Sequence, residues 1–297
     1  MGISKTDCRL LFYSGTVGVD FKNTLTLGRQ NLYASIKDIQ SCIEKYKSGK
    51  LALAQVQFTD EFCEPLFKIL GAEHIDSIDY SAYQNATLIH DLNFPVPENY
   101  KNRYSCVVDG GTIEHIFNFP VAVRNCMEML APDGHYIGIT PANNQMGHGF
   151  YQFSPELYFR IFSEDNGFRI KKMFVTLPAG DEVWYEVADP KSVKSRGTII
   201  NSYPLSLMFI AEKIAVMPVF STAPQQSDYS FAWNTFESLE KKNVSQSGGY
   251  TKYLYRKLLP VRVRTIFRNI HDIFRKEKVD TKELGTINPE HFRKTEI

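Results

Sequence analysis

Two neighbouring segments constrain this chain most: Ser105-Cys-Val-Val-Asp-Gly-Gly-Thr-Ile-Glu-His-Ile-Phe117 and Asn125-Cys-Met-Glu-Met-Leu-Ala-Pro-Asp-Gly-His-Tyr-Ile-Gly-Ile139. An apolar run ends at Asp109, and a loop follows with Glu114 and His115. Helical spacing then covers about Val121 to Leu130, Pro-Asp-Gly marks a turn, and Tyr136 to Thr140 reads as a second buried strand. Strand, helix and strand in that order make a βαβ unit, because parallel neighbours need a long crossover between them. Parallel sheets collect their ligands beyond the carboxyl ends of the strands, where Asp109, Glu114 and His115 fall.

The flanking sequence repeats the alternation. Thr24 to Gly28 reads as a short strand ending in glycine, and Ser35 to Tyr46 has helical spacing with Ile36, Ile39, Ile43 and Tyr46 on one face. Asp60 is expected to cap a helix over Glu61 to Leu70 that Gly71 ends. His74 to Asp79 and Ala86 to His90 read as strands, the second followed by Asp91. Ser154 and Pro155 open a further helix, and Gly167 closes it. Arg169 to Leu177 and Ser206 to Lys213 resemble strands, separated by a polar excursion that contains Trp184 and Tyr185. The expected fold is α/β: a Rossmann-like, doubly wound, mainly parallel seven-stranded sheet with helices on both faces and a C-terminal helical extension. Residues 1–219 form the expected domain, with a helical insertion over about 31–58. Residues 220–249 read as a polar linker and 250–297 as a basic amphipathic helical tail.

Composition excludes several classes. A formal net charge of +1 over 297 residues gives no whole-chain case for nucleic acid. No apolar run approaches the roughly 18 residues that span a bilayer, and Met1 to Asp7 lacks a signal-peptide layout. Met-Gly-Ile-Ser-Lys-Thr matches a myristoylation pattern only loosely. Cys8, Cys42, Cys63, Cys106 and Cys126 are scattered and odd in number, and none forms a Cys-x-x-Cys pair. Cys106 and Cys126 read as small buried hydrophobes, and a reducing cytoplasm is expected.

From about Thr24 to Lys213 the succession resembles the class I S-adenosylmethionine-dependent methyltransferases. Asp79 falls where that family places an acid on the ribose hydroxyls, and Asp91 where members place one near the adenine. Glu114-His115-Ile116 resembles their Glu-His-Val segment, and Leu130-Ala-Pro-Asp-Gly134 resembles their Leu-Lys-Pro-Gly-Gly turn. The resemblance implies S-adenosylmethionine as cofactor, with Gly28, Arg29, Gln30, Asp79, Asp91, Asp109 and Glu114 as its site. The physical basis is plain: a carboxylate can accept two ribose hydroxyls in charge-assisted bonds, and glycine lets backbone approach a ligand. The chain departs from the family at Leu27-Gly28-Arg29-Gln30-Asn31, which has one glycine and no acid. Two readings stay open there: Arg29 pairs the cofactor's carboxylate in a rebuilt site, or the site no longer binds. Gly15-Thr-Val-Gly18 is a second glycine loop, but no strand leads into it.

Methyl transfer needs alignment and a free lone pair, and a hydroxyl acceptor gains from a general base. His115 and His148 are the candidates; His148 lies in the polar loop Asn143-Asn-Gln-Met-Gly-His-Gly-Phe-Tyr151 after the fifth expected strand. In a purely structural reading His148 caps a helix and His115 orients its loop. His74 and His90 read as structural, and no metal is expected from sequence spacing. The reading is thus O-methylation of a small-molecule or carbohydrate hydroxyl, since similar degenerate-loop domains are associated with bacterial surface-polysaccharide biosynthesis. The alternative is a non-catalytic scaffold; a dehydrogenase is disfavoured by the absence of Gly-x-Gly-x-x-Gly.

Lys241 to Lys278 holds eleven basic residues against Asp272 and Glu277, a local charge of +9. From Pro260 a helix is expected with Val263, Ile266, Phe267, Ile270, Ile273 and Phe274 on one face. It would dock on the domain or a second subunit, or lie on anionic membrane; nucleic acid is not expected. The protein would then be cytoplasmic, with peripheral contact at the inner membrane face as one option.

Overall fold

A computed structural model describes residues 2–176, 183–195, 197–231, 233, 277–278 and 286–297. The strands are β1 (Gly2–Ile3), β2 (Asn23–Leu27), β3 (Asn31–Leu32), β4 (His74–Asp79), β5 (Leu88–Ile89), β6 (Tyr104–Gly110) and β7 (Leu130–Asn143). After them come β8 (Phe168–Thr176), β9 (Trp184–Val187), β10 (Ile199–Ile200), β11 (Leu205–Lys213), β12 (Glu277–Lys278), β13 (Thr286–Ile287) and β14 (Phe292–Thr295). The helices are α1 (Lys5–Thr16), α2 (Ile36–Tyr46), α3 (Glu64–Leu70), α4 (Phe119–Met129), α5 (Pro155–Ile161) and α6 (Pro190–Val193).

The central sheet runs β14-β9-β8-β11-β7-β6-β2-β4-β5. Strands β5, β4, β2, β6 and β7 are parallel, while β11 is antiparallel to both β7 and β8. From β2 the chain builds outward through β4 and β5, then crosses back to place β6 on the opposite side. Strand order therefore reverses between β2 and β6, the topological switch point at which doubly wound sheets bind ligands. The expected α/β fold is present, but among the described residues its sheet has nine strands rather than seven. Two come from segments whose sequence lacks strand periodicity: the polar excursion forms β9 with Trp184 fully buried, and the chain's last residues add β14.

Local chemistry explains most element ends. Ser4 and Asp7 make reciprocal capping bonds at α1, with Asp7 N donating to Ser4 Oγ at 3.3 Å and Ser4 N to Asp7 Oδ2 at 2.8 Å. Ser35 and Asp38 repeat the device at α2. Helix α1 was not expected; Gly15 lies inside it, so Gly15 to Gly18 is not a strand-end loop. Helix α3 starts at Glu64, later than the expected Glu61. The intervening residues are drawn into pairing: Leu32 N donates to Glu61 O at 2.7 Å and Cys63 N to Gln30 O at 2.9 Å. The Pro-Asp-Gly turn is instead a bulge in β7, since Tyr104 pairs with Leu130 and Cys106 with His135.

One face of the sheet packs α1 to α3 through Leu10, Phe12, Ile39, Leu66, Phe67 and Ile69 against Val108, Ile137 and Phe174. Residues of opposite parity, Tyr136 and Phe209, meet Tyr158 and Phe162 of the α5 segment on the other face, with ring centroids 4.2–5.6 Å apart. All five cysteines are buried and unpaired.

By internal contacts the chain divides into two units. One comprises Met1–Val187, Pro204–Pro224 and Lys294–Ile297; the other comprises Ala188–Tyr203 and Gln225–Arg293. In the second, β10 and β12 both pair antiparallel with β13. The expected helix from Pro260 to Phe274 lies outside the described residues. Residues 286–287 and 292–295, within the expected helical tail, are strands instead. Among the described residues no helix is long and apolar enough to cross a membrane.

Candidate active site

Beyond β2 the backbone turns at Gly28, whose φ of +69° favours glycine. Gly28 N donates to Ile78 O at 2.8 Å, tying the turn to β4. Arg29 does not offer its charge at the strand ends. Its guanidinium lies 3.8 Å over the Phe62 ring, its Nε is 2.6 Å from Glu64 and its terminal nitrogens reach Asp60 and Gln84 O. Gln30 is fully buried and donates to Leu27 O and, at 3.4 Å, to Thr112 Oγ1. It packs so closely on Gly110 that a Cβ there would stand 2.8 Å from Gln30 Oε1. Both side chains expected at the cofactor are thus engaged by the protein's own groups. Carboxylates within reach claim Arg29, and the small residue Gly110 makes room for Gln30.

Asp79 ends β4 half-buried, and the shortest hydrogen bond to its carboxylate is a 3.5 Å approach from Ser81 N. Tyr80 and Tyr83 beyond it are exposed. Asp91 accepts from Asn93 N at 2.9 Å and Asn93 Nδ2 at 2.8 Å, while Asn93 Oδ1 accepts from Asn118 N at the start of α4. Asp109, expected at the cofactor, is fully buried. It accepts from Thr112 N at 2.8 Å, Ile113 N at 3.3 Å and Tyr136 Oη at 2.9 Å, so it staples the loop after β6. Burial raises its pKa to about 6 despite those bonds.

That stapled loop carries Glu114 into the interior, with its carboxylate 1% exposed. Neither oxygen has a hydrogen-bond partner among the described residues. Burial, with Asp109 adding repulsion, pushes Glu114 up to about 8. His148 Nε2 lies 3.4 Å and His115 Nε2 4.0 Å from Glu114 Oε1. The two imidazole centroids are 5.3 Å apart, and both rings are about half exposed. Burial first, and then His148, hold His115 below the usual imidazole range.

The His148 loop is tied to the Glu114 loop by backbone. Phe150 N and Tyr151 N both donate to Glu114 O, at 2.9 and 3.3 Å, and Tyr151 Oη donates to Phe117 O at 2.6 Å. A Cβ on Gly149 would lie 3.0 Å from Glu114 O and 3.2 Å from His115 Nδ1, so a side chain here would push these neighbours by a few tenths of an ångström. Phe117 and Phe150 sit edge to face at 5.8 Å on the outside, both largely exposed. Sequence spacing does not reveal this pair, because the rings come from different loops. Glu114, His115 and His148 also offer three ligand atoms within 4.8 Å of one another. The three come from two different loops, so spacing along the chain does not bring them together. His74 and His90 take no part; His90 bonds Phe94 O at 3.1 Å.

No family model matches the chain, and no curated protein matches it. Several solved structures align with it at low similarity. A SAM-dependent methyltransferase from Aquifex aeolicus is 11% identical over 69% of this chain and 89% of its own, with a TM-score of 0.34. The 1,6-didemethyltoxoflavin-N1-methyltransferase of Burkholderia thailandensis, solved with S-adenosylhomocysteine, is 9% identical over 70% and 80%, with a TM-score of 0.33. The branched-chain polyamine synthase of Thermus thermophilus is 11% identical over 75% and 60%, with a TM-score of 0.35.

Proposed function

We propose that the chain is an S-adenosylmethionine-dependent methyltransferase acting on a hydroxyl of a small-molecule or carbohydrate-like acceptor. The observation that carries this reading is a convergence at the switch point. Gly28 after β2, Asp79 at the end of β4, Glu114 and His115 after β6 and His148 after β7 all follow the carboxyl ends of adjacent parallel strands. Two interstrand steps separate β4 from β6, about 10 Å.

The residues fit the nucleoside half of the cofactor. Asp79 keeps acceptor capacity for a ribose diol, because its one long bond leaves most lone pairs unused. Gly28 presents backbone without a Cβ, and the exposed Tyr80 and Tyr83 offer ring faces beside Asp79. When bound, the cofactor supplies a methyl group activated on a sulfonium. His148, with Nε2 turned toward Glu114, would take the hydroxyl proton on its other ring nitrogen as the oxygen becomes nucleophilic. The exposed Phe117 and Phe150 rings suit the apolar face of a sugar, which supports a glycan acceptor.

Isothermal titration calorimetry with S-adenosylmethionine and S-adenosylhomocysteine tests the reading. Both should bind; Asp79→Ala should weaken binding at least tenfold, while His148→Ala should spare binding and lower turnover. Folded protein that binds neither compound would sink the proposal and leave the scaffold alternative.

A further inference from the structure

Glu114, His115 and His148 form an arrangement that general-base chemistry alone does not require. A buried carboxylate with no hydrogen-bond donor on either oxygen is an expensive group unless a positive charge faces it. Two imidazoles face it instead, each with Nε2 toward Glu114 Oε1, at 3.4 and 4.0 Å. Ligands about 2.0–2.2 Å from a tetrahedral ion stand roughly 3.4 Å apart, so one edge is already at that length. The other two edges, 4.0 Å from Glu114 to His115 and within 4.8 Å between the imidazoles, close by rotation of half-exposed His115 and His148, which solvent leaves room for. The donor set is also preorganised. Phe150 N and Tyr151 N lock the His148 loop onto Glu114 O, and Gly149 brings it against His115.

We propose that Glu114, His115 and His148 bind a single divalent transition-metal ion of the zinc class. Two nitrogens and one carboxylate oxygen suit such ions rather than magnesium or calcium, which prefer oxygen throughout. Three protein ligands at a site open to solvent leave coordination positions vacant, as in catalytic rather than structural centres. On the methyltransferase reading, on which only this consequence rests, a vacant position would hold the acceptor oxygen and make its proton easier to lose. His148 would then serve as a ligand in the loaded protein.

The test uses tag-free, full-length protein stripped with a chelator and titrated with Co2+ and Zn2+. One equivalent of Co2+ should bind, with the intense visible bands of a four- or five-coordinate ion, and Zn2+ should displace it. Glu114→Gln and His148→Ala should each weaken binding at least tenfold, while His74→Ala, on an exposed strand residue, should not. Because Glu114 is buried, circular dichroism must show its variant folded; His148 lies on the surface, and its variant decides alone if the other fails. Less than a tenth of an equivalent bound by wild type, or unchanged affinity in His148→Ala, overturns the ion site. Calorimetry with S-adenosylmethionine on the same stripped protein separates the two readings. Cofactor binding without ion binding overturns this inference only, and ion binding without cofactor binding overturns the methyltransferase only.

Discussion

At Gly149 the absence of one methyl group lets two loops meet without either giving way. A Cβ there would press on Glu114 O, which is backbone and cannot swing aside, as well as on His115. Gly149→Ala should therefore displace the His148 loop, costing about 1–3 kcal/mol by overpacking. Thermal denaturation should show it, with turnover falling at least as far as in His148→Ala. Asp109 makes a second residue-scale prediction. Its folded pKa of about 6 lies above its ordinary 3.8, so between these values the folded state holds more proton than the unfolded one. Its contribution to stability is complete below about pH 3.8 and is lost as pH rises through 6, on the order of 3 kcal/mol. Asp109→Asn keeps an acceptor for Thr112 N and Ile113 N without the charge. It should make the fall in melting temperature between pH 4 and 6 shallower, leaving the part due to Glu114, and melt no lower than wild type at pH 7; an unchanged slope would refute the assignment.

Among the elements, those with strong local codes are legible in the residues themselves. Helix α2 begins at Ser35 because serine and Asp38 exchange bonds there, and β4 ends at Asp79 as its pattern implies. Apart from α1, the elements that depart from expectation are those that a distant partner defines. Helix α3 starts late because residues 30–32 claim the backbone of 61–63. Strand β9 reads as polar because its flanks are, yet Trp184 packs edge to face on Phe174 at 5.5 Å. Trp184→Ala should cost about 3–5 kcal/mol, visible in urea unfolding; a surface-like loss below about 0.5 kcal/mol would deny β9 its place in the core. Helix α1 carries the same capping code as α2, and Ser4 and Asp7 are enough to locate its start. Ser4→Ala should cost about 1 kcal/mol.

For the whole molecule, the switch between β2 and β6 sets where a ligand can sit, and ligand linkage makes that measurable. A cofactor at about a hundred times its Kd should add about 2.7 kcal/mol to stability. The gain should appear as a raised melting temperature in wild type and disappear in Asp79→Ala. A wild-type melting temperature indifferent to cofactor would argue against the site.

By itself the sequence determined the alternation of strands and helices, the parallel core and the polar residues after Asp79 and Asp109, because periodicity, caps and crossover length are local properties. The tertiary structure decided which of those polar residues face outward. It buried Asp109 and Gln30, spent Arg29 on Glu64 and Asp60, and brought His148 onto Glu114. Those outcomes depend on strand register and on loops closing over long sequence separations, and neither leaves a mark in the spacing of residues along the chain.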